Sequence, residues 1–113
     1  MKVIKSDRFH NYICFETDTL LDALLKIEKN SHRCAVVINN KFEVVGTISD
    51  GDARKALIDG RILQTPIKKI MNTAFTKFTK ENLDFAKKIF SKGHFFVIPR
   101  TDSKNILKEI IIS

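Results

Sequence analysis

A chain of 113 residues with 43% apolar and 9% aromatic residues is the size of one compact domain, able to bury a core and too short for a catalytic domain beside a regulatory one. Its apolar runs are only a few residues long, far below the roughly 20 that span a bilayer, and Val3-Ile4 is too short for a signal-peptide core, so a cytoplasmic location is expected. The net charge of +7 is concentrated in residues 66–92, where seven lysines face Glu81 and Asp84 for a balance of +5. Within that segment, KENLDFAKKIFSK places Leu83, Ala86, Ile89 and Phe90 on one side of a helix and Asp84, Lys87, Lys88 and Ser91 on the other. A base-reading helix would add Arg, Asn or Gln. This lysine face reads as solvated, and nucleic-acid binding is not expected as a primary role.

In chain order, NYICF (11–15) has the pattern of a short strand, and Thr17 or Asp18 can cap a helix over about residues 19–30. CAVVI (34–38) and FEVVGTIS (42–49) follow as strands paired around a turn at NNK. A helix is expected from Gly51 to Asp59, stopped by Gly60, then a connector with Pro66 and the short amphipathic IKKIM. The pattern restarts with a strand at FTKF (75–78), a helix over about residues 80–92 ended by Gly93, and strands at HFFVI (94–98) and NILKEIII (105–112). Cys14 and Cys34 fall in strand-like runs without CxxC or Cys/His spacing, which points to buried, reduced thiols and no zinc site or disulfide.

The order strand, helix, strand, strand thus occurs twice. An offset of 62 pairs Thr17 with Thr79, Leu21 with Leu83, Asp22 with Asp84, Ile27 with Ile89 and His32 with His94, and two further residues in the second turn align Ser113 with Ser49. Each copy is too small to bury both faces of its sheet alone, so the two copies are expected to pack into one pseudo-symmetric domain.

The corner VVGTISDGDARKAL, where an apolar strand runs straight into a helix, is the candidate site. A helix N-terminus offers unpaired amides and partial positive charge to a phosphate. Ser49 adds a hydroxyl, and the two oxygens of the Asp52 carboxylate suit the neighbouring hydroxyls of a ribose. The same residues also serve a plain helix start, with Ser49 or Asp50 as N-cap, Asp52 favoured by the helix dipole, and Gly46 allowing close packing. Arg54 either pairs with Asp50 at (i, i+4) or reaches a phosphate. Asp50 and Asp52 lack further oxygen ligands, so no metal site is expected.

With Gly46, Ser49 and Asp52 at its three defining places, the stretch resembles the signature of the CBS (cystathionine-β-synthase) domain: a strand Gly-x-x-Ser/Thr followed by x-x-Asp at a helix start. The resemblance covers the chain as a tandem pair. GTISDGDARKALIDG followed by PIKKIMN is similar, more specifically, to the CBS pair that precedes a nucleotidyltransferase domain in bacterial enzymes of cell-surface sugar activation. It implies an α/β (α+β) fold of two strand-helix-strand-strand-helix repeats with pseudo-two-fold symmetry, residues 1–66 holding the first repeat with its connector and 67–113 a second repeat without its last helix. It also implies an adenosine-type regulatory ligand (AMP, ADP, ATP or S-adenosylmethionine) and no required cofactor. Ser49 and Asp52, flanked by Thr47 and Asp50, would hold ribose and phosphate; Met71, Phe75 and Thr76, with Phe96 nearby, would hold the adenine, and His32 and Arg33 would meet phosphates. Each has an ordinary alternative, since His32 and Arg33 suit a solvated loop and Phe75 and Phe96 suit a core.

The second copy departs from the signature, because Ile110 stands at the glycine place and Ser113 is the last residue. Apolar surface from EIII (109–112) and Phe90 is therefore expected to lie uncovered, favouring a homodimer or a longer natural protein. No phosphate loop, nucleophile elbow or His-Glu-x-x-His is present, and His10, His32 and His94 share no constellation with a nucleophile. A non-catalytic regulatory module linked to an enzyme, with a structural dimerisation module as the alternative, is the functional expectation.

Overall fold

A computed structural model describes residues 1–79, 84–93 and 97–113. Two three-stranded sheets face each other. One has the order β2 (Ile13–Phe15), β3 (Cys34–Ile38), β4 (Val44–Ser49), with β2 parallel and β4 antiparallel to β3. In the other, β6 (Leu107–Ile112) lies between β1 (Lys2–Ile4) and β5 (Val97–Thr101), antiparallel to both. Helices α1 (Leu20–Asn30) and α2 (Asp50–Ile58) pack on the first sheet and α3 (Asp84–Ser91) on the second. Short 3-10 turns occupy Ser6–Asn11 and Ile67–Lys69.

Strand alternation builds these layers, because successive side chains point to opposite faces. In β3, Ala35 and Val37 join Leu20, Ala23 and Ile27 of α1 and Ala53 and Ala56 of α2 in one core. Their neighbours Val36 and Ile38 point the other way, to Val97, Leu107, Ile110 and Ile112 between the sheets. Ile98 and Ile111 turn outward again and bury Ala86 of α3 with Phe78. Each such side chain, removed from water, contributes about 1.5–3 kcal/mol. The apolar positions of α1 fall at helical spacing, and Thr19 starts the helix: its Oγ1 accepts from Asp22 N–H while Asp22 returns a carboxylate to Thr19 N–H. Thr17 and Asp18 are thus not the cap; the Asp18 carboxylate instead accepts Phe15 N–H in the preceding turn.

Strand register carries the internal repeat. Ala35 pairs with Ile48 and Val97 with Ile112; Val36 pairs with Thr47 and Ile98 with Ile111. These pairs differ by 62 residues on one strand and 64 on the other, as the two-residue longer second turn requires. The correspondence reaches the flanks: Thr47 bridges Asn72 and, 64 residues on, Ile111 bridges Val3. The strand β1 therefore occupies on β6 the place that the connector occupies on β4.

Three expectations are corrected. The EIII strand is not left uncovered: Ile110, Ile111 and Ile112 are buried between β1, β5, α3 and the opposite sheet. FTKF forms no strand; only Phe78 bridges Arg100, in parallel. The NYICF strand starts at Ile13, because Ser6–Asn11 turns as a 3-10 helix that buries Phe9. The expected helix over 80–92 is seen as Asp84–Ser91, its first residues lying outside the described set, and Gly93 ends it at φ 75°. Residues 94–96 of the HFFVI strand, His94 and Phe96 among them, also lie outside the described residues.

Glu109 ties the second sheet together. Its carboxylate accepts Arg100 Nε at 2.6 Å and pairs with Lys5 beyond the end of β1, linking three strands through one buried acid. Burial pushes its carboxyl up, but the hydrogen bonds from Lys5 and Arg100 outweigh this and hold it below the ordinary carboxylate value.

Candidate functional site

At the corner between β4 and α2, Ser49 is the N-cap: its Oγ accepts Asp52 N–H at 3.0 Å, and Asp52 Oδ2 accepts Ser49 N–H at 2.9 Å. This is the capping box already seen at Thr19 and Asp22, so the motif serine and aspartate have a structural task here. Asp50 N–H is claimed by Arg33 C=O at 2.9 Å. Among the described residues, the amide of Gly51 and the second carboxylate oxygen of Asp52 have no partner at this helix end.

The corner opens into a cleft of about 390 Å³, the size of a small-molecule site. One wall is Arg33, Cys34, Thr47 and the turn Ser49 to Asp52; the other is Asn72, Ala74, Phe75 and Thr76 from the connector, with Val97 of β5 completing it. Three separate segments thus meet on one concave surface, polar at the helix end and apolar at Phe75 and Val97. Gly46 explains their approach: a Cβ there would lie 2.8 Å from Met71 Sδ and 3.0 Å from Asn72 O, so a side chain would displace the Met71 thioether and press on the connector backbone at Asn72.

Arg33 holds a left-handed backbone, φ 63°, just before β3, and Ser31 does so two residues earlier. Such a conformation costs a non-glycine residue about 1–2 kcal/mol. Its occurrence at the rim of a cleft fits the tendency of backbone strain to gather at functional positions. Cys34 lines the cleft, and its thiol is pushed up to about 12 by burial and then by the nearby Asp52 carboxylate. It acts as a neutral, packing thiol.

Of the residues expected at the site, Thr47, Ser49, Asp50, Asp52, Arg33, Phe75 and Thr76 line this cleft together. Met71 lies behind Gly46 and lines a second groove on the far flank of α2. His32 does not reach the cleft lining: its Nδ1 lies 2.7 Å from Asn30 O and its ring 5.9 Å from that of Tyr12. Phe96 lies outside the described residues. Arg54 forms no salt bridge with Asp50; its Nη2 folds toward Gly51, 3.8 Å from where a Cβ would sit. Sequence reasoning missed Cys34, Gly51, Asn72, Ala74 and Val97 as lining residues. For Asn72 a signal existed, since MNTA suits an Asx turn, and its Oδ1 does accept Ala74 N–H at 3.0 Å.

Residues 9–59 match the family described as CBS domain. The chain is 27% identical to arabinose 5-phosphate isomerase GutQ of Shigella flexneri over 92 residues, 80% of this chain and 29% of that protein. Across the curated relatives it matches, the chain spans 14% to 29% of their length. Among solved structures it superposes on a putative acetoin utilization protein (AcuB) from Vibrio cholerae with a TM-score of 0.80 at 23% identity, covering 96% of this chain and 84% of that one. A CBS domain protein from Pyrobaculum aerophilum complexed with AMP superposes with a TM-score of 0.73 at 17% identity, covering 89% and 79%. The chain has the mixed α and β fold of CBS-domain proteins. No helix of the described residues is long and apolar enough to cross a membrane.

Proposed function

We propose that this chain is a non-catalytic regulatory module, a CBS pair with its first repeat in residues 1–66 and a second, shorter one in 67–113, that binds an adenosine-type ligand in the cleft at α2. The observation that carries this reading is the convergence of Arg33, the Ser49–Asp52 turn, the connector at Asn72–Thr76 and Val97 on one cavity. A ligand there touches both halves of the chain. Its occupancy then favours one arrangement of the halves over another, which is what transmission to a linked enzyme requires. The AMP named with the Pyrobaculum protein supports the adenosine class. Phe75 and Thr76 would flank the base, Asp52 Oδ1 would accept from the ribose, and Gly51 N–H with Arg33 would meet a phosphate.

For the regulated enzyme, the nucleotidyltransferase suggested by PIKKIMN stands beside a second reading, a sugar-phosphate isomerase, favoured by the likeness to GutQ over 80% of this chain. A homodimer fits the exposed apolar side chains Leu21 and Leu25 of α1 and Leu57 and Ile58 of α2, which continue into Leu63, whose C=O accepts Leu21 N–H.

Thermal shift with AMP, ADP, ATP and S-adenosylmethionine tests the reading, on the wild type, Asp52→Ala and Asp22→Ala. Both variants lose a capping box, but only Asp52 lines the cleft. A ligand at 100-fold its dissociation constant stabilises by about 2.7 kcal/mol, several degrees for a domain of this size. The expected result is a shift kept in Asp22→Ala and lost in Asp52→Ala. No shift with any of the four in a cooperatively unfolding protein rejects the sensor and leaves a structural dimerisation module.

A further inference from the structure

We infer that Lys77 and Asn105, both outside the cleft lining, position the Phe75 wall of the cleft: Asn105 holds the Lys77 ammonium, and the ammonium holds the Phe75 ring against the base. The inference rests on the adenosine reading above and concerns the same cleft.

The chain of contacts starts in the turn between β5 and β6. Asn105 has a left-handed backbone, φ 70°, which asparagine tolerates better than most residues. Its main-chain O accepts Val44 N–H at 3.0 Å, and its side-chain Nδ2 donates to Val44 O at 2.6 Å. A carbonyl only accepts, so the amide nitrogen faces Val44 and the amide oxygen is turned to the other side. There Oδ1 accepts from Lys77 Nζ. The amide of Asn105 is thus engaged at both ends, by the first residue of β4 and by the connector.

Lys77 carries that anchor to the cleft. Its Nζ lies 5.9 Å from the centroid of the Phe75 ring, within the range in which a cation is attracted to an aromatic face. An exposed lysine left to itself spreads over many rotamers, and the contact with Asn105 confines the ammonium near the ring. Phe75 lines the cleft and packs, half-buried, on the core between the sheets. The connector is tied to β4 at Asn72 and to β5 at Phe78. Phe75 sits midway between those ties, where the Lys77 contact adds a further one. A cation–aromatic contact at an exposed site corresponds to about a two- to fivefold change in affinity. Because it acts through the ring, it changes the binding of a neutral and a charged ligand alike.

Isothermal titration calorimetry with adenosine and AMP on the wild type, Lys77→Met, Lys77→Arg and Asn105→Gly tests this, since glycine at that turn keeps the backbone at φ 70° without the side chain. Lys77→Met and Asn105→Gly are each expected to weaken both ligands about two- to fivefold, and Lys77→Arg, which keeps the cation, to bind both as the wild type does. A loss for AMP with none for adenosine makes Lys77 a charge acting on the phosphate and overturns the inference. Unchanged affinity for both ligands in Lys77→Met overturns it equally. Phe75→Trp gives a chain without tryptophan a single one and reads the contact without ligand. Its emission is expected to change with Lys77→Met and to return with Lys77→Arg; an emission indifferent to both overturns the inference and leaves the adenosine reading standing. Binding of neither adenosine nor AMP by the wild type overturns the adenosine reading itself and this inference with it.

Discussion

Thr47 and Asn72 exchange two main-chain hydrogen bonds, Thr47 N–H to Asn72 O at 3.0 Å and Asn72 N–H to Thr47 O at 2.8 Å. This bridge fastens the connector to the edge of β4 and so holds together the two walls of the cleft. It exists because Gly46 leaves room for Met71 beside it. Gly46→Val is expected to destabilise the fold by about 1–3 kcal/mol through overpacking and to weaken ligand binding further than that loss alone. Urea unfolding with and without AMP measures both effects; an unchanged midpoint would show that the connector yields without cost.

The left-handed backbone of Arg33 separates its structural cost from its function. Arg33→Gly removes the steric penalty at φ 63° but adds chain entropy in the unfolded state and takes away the further interaction that Arg33 makes, so stability is expected to fall, by about 1 kcal/mol. The ligand-dependent shift should fall sharply, because the guanidinium at the cleft is gone. Melting curves of the apo and AMP-loaded variant read the two quantities separately. An undiminished AMP shift would remove Arg33 from the site.

Acid should act through Glu109. Its carboxyl is held below its ordinary 4.5 in the folded chain by Arg100 and Lys5 against the opposing effect of burial, so its contribution is fully present above the unfolded value and is lost as pH falls through the lower, folded one. Stability is expected to be level in this contribution from pH 7 to about 5.5 and to decline below about 4.5, with a shallower decline in Glu109→Gln. Removing Arg100, whose side chain is 13% exposed, should cost about 2–3 kcal/mol because the buried carboxylate loses the less exposed of its two partners. Removing Lys5, at 68% exposure, should cost less than about 1 kcal/mol. Urea titrations across pH for the three variants test this order.

Both cysteines should be silent in the folded protein. Burial first, and then nearby aspartates, push Cys14 and Cys34 up to about 12, so little thiolate exists at pH 8. A thiol reagent at pH 8 is expected to label neither at an appreciable rate until denaturant is added, when both react. Rapid native labelling of Cys34 would show that the cleft opens to solvent far more often than its packing implies.

What the sequence determined by itself was everything written in neighbouring residues. Alternation in CAVVI and VVGTIS marks β3 and β4, helical spacing marks α1, and Ser49 with Asp52 three places on marks the start of α2. The repeat offset of 62 to 64 foretold the matching registers of the two sheets. These signals are legible because capping, alternation and helical periodicity act within a few residues.

Only the tertiary structure decided what depends on distant partners. Lys2–Ile4 is too short to declare itself a strand; it becomes β1 because β6 presents a bare edge, and in doing so it covers the isoleucines expected to lie exposed. FTKF has the composition of a strand, yet only Phe78 finds a bridge. His32 and Arg33 are adjacent in sequence, but one ring turns to Tyr12 while the other side chain meets the cleft, a division made by the left-handed backbone between α1 and β3. The cleft itself joins residues 33–52, 72–76 and 97. Its shape follows from long-range packing of strands and connector, and no local stretch of the chain encodes it.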